Sequence, residues 1–369
     1  MQLIYLSPVP WASFAQRPHK FVEWFHGRTG GSVFWVDPYP TRFPLFSDFQ
    51  RFISKAEAAP TRDEVFTPAW LNVIKPVALP IEPLPCSGRV NFFLWWRLLQ
   101  KLTNIAAGSE TWLVIGKPST LALTVMDRLN GCRSIYDVMD DFPSFYSGLS
   151  RFAMQQREKV LVRQVGMILT SSTILKRRWS IFRNDVKLVH NGLDLNILPP
   201  PRFCSHDNEQ KILGYVGTIA SWFDWEWVII LAKVRSQDVV RLIGPVFSTV
   251  PAMLPQNIEI LPPCDHQAAL LAMQEFDVGL IPFKKTLLTE SVDPIKYYEY
   301  CALGLPVLST DFGEMALRKS TDGTYLSRGV EDVGELAALA LQYHASSEVI
   351  CKFREFNSWK SRFDNAGII

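Results

Sequence analysis

The sequence predicts an α/β protein built as two doubly wound, Rossmann-like domains in tandem. Three observations predict it. The 369 residues exceed what one typical core organises. Short apolar runs alternate with helical pattern along the chain, the signature of parallel sheets covered on both faces. A polar, proline-rich stretch at 199–210 lies between two such series and reads as a linker. The expected division is 1–198, the linker at 199–210, a second domain at 211–350 and a terminal segment at 351–369.

Apolar runs at 3–6, 32–36, 112–115, 134–136, 167–170 and 187–189 supply the first sheet. Those at 212–216, 239–243, 258–260, 278–281 and 306–309 supply the second. Helical pattern separates most of them, as at 17–26, 145–163 and 265–276. Ligands in such folds sit at the carboxyl ends of the strands, so the two domains are expected to face each other across a ligand cleft.

Hydrophobic residues make up 48% of the chain and charged residues 20%, which excludes a disordered protein. Cys86, Cys132, Cys204, Cys264, Cys301 and Cys351 are scattered without a C-x-x-C pair. This argues against a disulfide framework or a zinc ribbon and fits a reducing cytoplasm. Residues 1–8 lack a basic leader and read as a first strand. No apolar run reaches the roughly 18 residues of a spanning helix, so a cytoplasmic protein, at most peripheral to a membrane, is expected. The net charge of +2 hides an asymmetry: residues 1–200 hold 23 Lys and Arg against 15 Asp and Glu, the remainder 15 against 21. The basic half suits an anionic membrane or substrate, or is solvated surface charge.

The stretch Asp293-Pro-Ile-Lys-Tyr-Tyr-Glu-Tyr-Cys-Ala-Leu-Gly304 reads as a short helix, with Pro294 opening it and Gly304 closing it. Lys296 and Glu299, three residues apart, share one face beside a helix N-terminus that attracts anions. A ligand anionic at one end and rich in hydroxyls at the other suits that arrangement, and nucleotide sugars are such ligands. Ile212-Leu-Gly-Tyr-Val-Gly-Thr-Ile-Ala-Ser221 is a strand running into a glycine turn. There Gly217 lets backbone amides approach a phosphate, and Thr218 and Ser221 add hydroxyls. Its G-x-x-G spacing is not a dinucleotide fingerprint, and no Walker sequence occurs. Arg241-Leu-Ile-Gly-Pro245 ends another strand, Arg241 being a donor contact or a surface charge. Leu261-Pro-Pro-Cys-Asp265, with Pro263, presents backbone groups to a nucleobase or is an ordinary loop capped by Asp265.

The order of Gly-Tyr-Val-Gly-Thr218, Arg-Leu-Ile-Gly-Pro245, Phe-Asp-Val-Gly-Leu-Ile-Pro-Phe283 and the Lys296–Glu299 stretch resembles the donor domain of GT-B glycosyltransferases. The nearest pattern is the large retaining group called family 4, in its bacterial cell-surface polysaccharide branch. In the first half Pro10-Trp-Ala-Ser-Phe-Ala-Gln-Arg-Pro-His19, Tyr136-Asp-Val-Met-Asp-Asp141 and Val189-His-Asn-Gly-Leu-Asp194 resemble that branch too. Asn357-Ser-Trp-Lys-Ser-Arg362 is similar to its last helix, which in this fold packs back on the first domain.

The resemblance implies that Glu299 holds the donor ribose, that Lys296 meets the diphosphate with amides around Gly217 and Thr218, and that Tyr298 belongs to the donor contacts. Charge on the leaving group is then stabilised without a metal. No D-x-D pair occurs, and neither a metal nor another cofactor is expected. The implied donor is a nucleoside-diphosphate sugar, most simply UDP-linked, and the acceptor a surface glycan or lipid-linked glycan. Two features depart from the family pattern. Ser291 stands where a glutamate often lies eight residues before the ribose ligand, with Glu290 out of register, and Ser221-Trp-Phe-Asp-Trp-Glu226 replaces the usual Arg/Lys pair. A UDP-sugar 2-epimerase of the same architecture, or a catalytically silent nucleotide- or glycan-binding protein, are the alternatives.

Asp140 and Asp141 follow a strand and point in different directions. Asp140 is a candidate base toward an acceptor hydroxyl or a helix cap, and Asp141 a candidate acceptor contact. Arg17 and His19, at a strand-to-helix turn in the basic half, are candidates for an anionic acceptor. Residues 90–102 are aromatic and amphipathic with Arg97 and Lys101, and fit either an outer-layer core helix or an interfacial one at the inner membrane face. Nucleic-acid binding is not expected, because the second half is acidic and no recognition motif occurs.

Overall fold

A computed structural model describes residues 1–41, 67–82, 84, 87–201 and 209–369. Arg42, Cys86, Cys204 and most of the expected linker lie outside the described residues. The chain divides into two compact units. The first is Met1–Ser171 with Leu175–Leu188, the second Ser172–Ile174 with Val189–Ile369.

The first unit runs β1 (Gln2–Leu6), α1 (Arg17–Thr29), β2 (Ser32–Val36), β3 (Leu71–Ile74), α2 (Ser87–Gly108), β4 (Thr111–Ile115), α3 (Thr120–Arg128), β5 (Arg133–Val138), α4 (Gly148–Gln164), β6 (Met167–Thr170), α5 (Thr173–Ser180, its first two residues in the second unit) and β7 (Val186–Leu188). Its strands pair in parallel in the order β3-β2-β1-β4-β5-β6-β7. The order reverses between β1 and β4, a switch point at whose carboxyl edge ligands bind in such folds. All five residues of β4 are buried, as a central parallel strand covered on both faces requires. Local signals place the helices: Pro18 sits in the first turn of α1, Gly30 closes it at φ 65°, and the Ser119 hydroxyl accepts from the Ala122 amide to cap α3.

The second unit runs β8 (Ile212–Val216), α6 (Trp225–Val234), β9 (Val239–Ile243), β10 (Ile258–Leu261), α7 (His266–Met273), β11 (Val278–Ile281), α8 (Ile295–Leu303), β12 (Val307–Thr310), β13 (Thr324–Ser327), α9 (Val333–Leu341), α10 (Ser347–Phe356) and α11 (Trp359–Asn365). Its six strands, also parallel, follow β10-β9-β8-β11-β12-β13, with the switch between β8 and β11. Aromatic rings lie flat on this sheet where the strands carry glycine. A Cβ on Gly279 would fall 2.4 Å from the Tyr300 ring, and one on Gly214 2.3 Å from that of Phe276. Tyr300 thereby seats α8 directly on β11, which sets where Lys296 and Glu299 stand.

Three features differ from the sequence reading. β3 and β13 lie at sheet edges and were not anticipated; only one of the four residues in β3 is buried, so its sequence lacks a buried run. The 145–163 helix opens later, because Phe142–Phe145 forms a 3-10 turn and the helix starts at Gly148. Residues 189–198 group with the second unit, since Leu193 exchanges backbone hydrogen bonds with Asn357 and Trp359 (2.8 and 3.0 Å) and Pro199 accepts from Arg354.

Gly217 and Gly244 end β8 and β9 with φ of 155° and 145°, and a Cβ on Gly244 would fall 2.1 Å from the Gly217 carbonyl oxygen. Gly244→Ala is expected to cost about 1–3 kcal/mol in urea unfolding. Gly131→Ala, whose Cβ meets nothing within 4 Å, should stay within about 0.5 kcal/mol of the parent.

Candidate active site

In the second unit the carboxyl ends of β8, β9 and β10 lead to the glycine turns, to Pro263 and to α7, while α8 follows β11. Pro294 caps α8 in extended conformation, and Gly304 closes it at φ 83°. In the first turn of the helix, Lys296 Nζ lies 2.8 Å from Glu299 Oε2. The other carboxylate oxygen, Oε1, lies 2.7 Å from His266 Nε2 at the start of α7. Glu299 is 3% exposed. Burial alone would raise its pKa, but the Lys296 ammonium and the His266 hydrogen bond outweigh it and hold the carboxyl below its usual range. The result is an ionised, fixed acceptor with a lysine poised beside it. His266 was not among the sequence candidates: a histidine bonded to a glutamate 33 residues on leaves no spacing signal.

The glycine turn is more constrained than expected. The Gly217 amide donates to the Ile243 carbonyl (2.9 Å) and so is engaged within the sheet. The Thr218 carbonyl accepts from Tyr215 (2.9 Å), and no partner for the Thr218 amide occurs among the described residues. Ser221 and Pro263 are exposed.

Two donor candidates stand elsewhere. Arg241 lies mid-strand in β9 and is paired with Glu259 at 2.8 Å and Glu275 at 2.7 Å, which makes it a surface ion triad, not a residue at the strand's carboxyl end. Tyr298 is fully buried. Its hydroxyl lies 3.0 Å from both Asp293 oxygens and 2.9 Å from Arg318 Nη2, so it braces α8 from beneath. Neither had a sequence cue to its partner. Ser291, which stands where family members often carry a glutamate, is buried, and no partner for its hydroxyl occurs among the described residues.

In the first unit Arg17 is 4% exposed and forks Asp137 of β5: Nε lies 2.9 Å from Oδ1 and 3.0 Å from Oδ2, and Nη2 2.7 Å from Oδ1. Its charge is matched inside the protein, which corrects its expected role toward an anionic acceptor. His19 is also corrected. Its Nδ1 accepts from the Gln16 amide, Nε2 contacts the Trp11 carbonyl (3.2 Å each), and the ring packs against Trp11 and Trp35. Burial lowers its pKa, so it serves as a neutral capping residue. Asp141 pairs with Arg178 at 2.7 Å and accepts from Ser144. Burial raises its pKa, yet these partners outweigh that and keep it below the usual range.

Asp140 is different. It is half-buried, and burial pushes its carboxyl up to about 7, opposed by Arg17 and reinforced by Asp141 and Asp137. A cavity opens at the switch point of the same sheet, lined by Ser7, Asp37, Tyr39, Thr41 and Lys117.

No family model matches the chain. TuaH of Bacillus subtilis, assigned as a glycosyltransferase of teichuronic acid biosynthesis, is 24% identical over 239 residues, a match spanning 58% of this chain and only 59% of that relative. Among solved structures, HepE from Anabaena in complex with UDP-glucose has a TM-score of 0.65 at 12% identity, covering 99% of this chain and 98% of that one. AviGT4, a glycosyltransferase of avilamycin A biosynthesis, has a TM-score of 0.60 at 12% identity, covering 99% and 95%. The fold is that of the GT-B glycosyltransferases.

Two outcomes are expected. Arg17→Leu, which leaves Asp137 buried and unpaired, should cost about 3–5 kcal/mol in chemical unfolding. Asp140 and Glu158 are both raised to about 7, chiefly by burial, so the folded state keeps protons that the unfolded chain releases near pH 4. Stability should therefore fall as pH rises from about 4 to about 7, and Asp140→Asn should flatten that fall when urea midpoints are compared across the window.

Proposed function

We propose that the protein is a glycosyltransferase moving a sugar from a nucleoside-diphosphate donor, UDP-linked by preference, to a surface glycan or lipid-linked glycan. The observation that carries this reading is the buried Glu299 carboxylate held by Lys296 and His266. Donor diphosphate draws the Lys296 ammonium from Glu299 Oε2, because a phosphate carries more charge, and the freed oxygen accepts the ribose hydroxyls. His266 keeps the carboxylate in place during the exchange. Thr218 and Ser221 border the same end of the sheet and add an amide and hydroxyls to the phosphates.

As the bond between the sugar carbon and the diphosphate oxygen breaks, Lys296 stabilises the growing charge. The acceptor hydroxyl forms the new bond to that carbon and gives up its proton to a general base, for which Asp140, with its pKa near neutrality, is the candidate. The reading is metal-independent, as the resemblance implies. Retention follows from the resemblance to the retaining group. Cytoplasmic activity at the inner membrane face follows from the implied acceptor. No helix among the described residues is long and apolar enough to cross a membrane.

A thermal-shift screen against UDP-, GDP-, TDP- and ADP-sugars identifies the donor, since a ligand at 100 times its Kd stabilises by about 2.7 kcal/mol. With that donor, Lys296→Ala is expected to lower kcat by about 10²–10³-fold and Glu299→Ala to weaken donor binding, both with unchanged circular dichroism. Full turnover in both variants would exclude this reading.

A further inference from the structure

Helix α2 presents an outer face that the proposed chemistry does not use. Asn91, Trp95, Leu99 and Leu102 point into the first unit and are buried, which fixes the orientation of the helix. On the outside, Phe93 is 82% exposed, Val90 47%, Trp96 46% and Leu94 44%. Asn91 also ties the Leu79 backbone to this helix through both its amide and its carbonyl, and the Leu79 side chain is 45% exposed. Solvating large side chains in a cluster is unfavourable, and such patches mark interaction sites.

The charges on the helix select the partner. Arg89, Arg97 and Lys101 are exposed on it and have no ion pair among the described residues. From Ser87 to Ser109 the sequence contains no Asp or Glu. The acidic second half of another copy could meet the cations alone. A lipid surface, however, sets anionic headgroups directly over an apolar layer, so that the cations are met while the apolar side chains enter the acyl boundary.

We propose that the outer face of α2, centred on Phe93, Trp96, Arg97 and Lys101, is a docking surface for anionic lipid bilayers. Phe93 and Trp96 insert at the level of the glycerol backbone, and Arg89, Arg97 and Lys101 lie among phosphates. The helix stays parallel to the membrane plane, since its opposite face is committed to the core of the first unit. This surface stands independently of the sugar-transfer reading.

Sedimentation with vesicles tests it. The full chain should partition onto vesicles of phosphatidylglycerol mixed with phosphatidylcholine, lose this with rising salt, and bind phosphatidylcholine alone at least about tenfold more weakly. Each cation removed should weaken partitioning about fivefold. Arg97→Glu with Lys101→Glu, and separately Phe93→Ser with Trp96→Ser, should each abolish it. Both pairs lie on the exposed face and should leave the thermal midpoint within a few degrees of the parent. Failure of the parent to bind anionic vesicles would overturn the proposal. So would equal binding to both vesicle types, or undiminished binding by either folded double variant. A concentration-dependent dimer lost in the same variants, without vesicle binding, would instead assign the face to a second copy of the chain.

Discussion

The second unit depends on one buried carboxylate, that of Asp293. Its side chain is wholly inaccessible, yet it receives the Asn191 amide at 2.8 Å, the Tyr298 hydroxyl at 3.0 Å and Arg318 Nη2 at 3.2 Å, with His190 Nδ1 at 3.6 Å. Burial pushes its pKa up, but His190, Arg318 and Asn191 together hold it below the usual carboxylate range. An isolated buried carboxylate would be prohibitively costly, so these groups stabilise the structure only as a set. They join the segment at 190–191, the residue just before the Pro294 cap of α8 and the chain after the 3-10 turn Gly313–Leu317. Asn191 also donates its side-chain amide to the Asp293 carbonyl at 2.7 Å, and Arg318 packs over the Tyr297 ring at 4.3 Å. Lys296 and Glu299 begin one turn further on. Asp293 thus fixes where their helix starts, and helix geometry then brings the two side chains onto one face.

The same logic governs the other polar groups, and it sorts candidate residues by what already satisfies them. Arg17, His19, Tyr298 and Arg241 each have their hydrogen-bonding capacity committed to protein partners, which makes them structural whatever their position in a motif. Glu299 and Lys296 are committed only to each other and to His266, and both sit at the carboxyl edge of the sheet. Asp140 stands apart because nothing neutralises it fully: Arg17 is shared with Asp137, and two further carboxylates lie close. A group left with a raised pKa by its surroundings is one that exchanges protons near neutrality.

Much of the fold was legible in the sequence because the information was local. The strand runs at 212–216 and 278–281, the helix between Pro294 and Gly304, and the glycine turn at Gly217 are each read from a few adjacent residues. Lys296 and Glu299 were legible for the same reason, being three apart on a helix. What stayed hidden joins residues distant in sequence. Arg17 finds Asp137 across 120 residues, His266 finds Glu299 across 33, and Asn191 finds Asp293 across 102. No periodicity reports such pairs, and a polar residue in a motif looks the same whether it faces a ligand or a buried partner. The edge strands β3 and β13 escaped because strands at a margin need no continuous apolar run.

Charge asymmetry shows how far composition reaches and where geometry must take over. The excess of basic residues in 1–200 describes a half of the chain, not a face. In the structure several of these cations are cancelled in place: Arg17 by Asp137, Arg157 by Glu82, Arg178 by Asp141 and Arg183 by Asp185. The cations of α2 have no such partner among the described residues, so this helix adds uncancelled charge to the described surface of the unit. They coincide with aromatic side chains left in solvent, although Trp95 and Leu99 show that the same helix packs its inner face well. A helix that can bury its aromatic residues, and does so on one side only, has an outer face shaped by something other than the stability of the isolated fold.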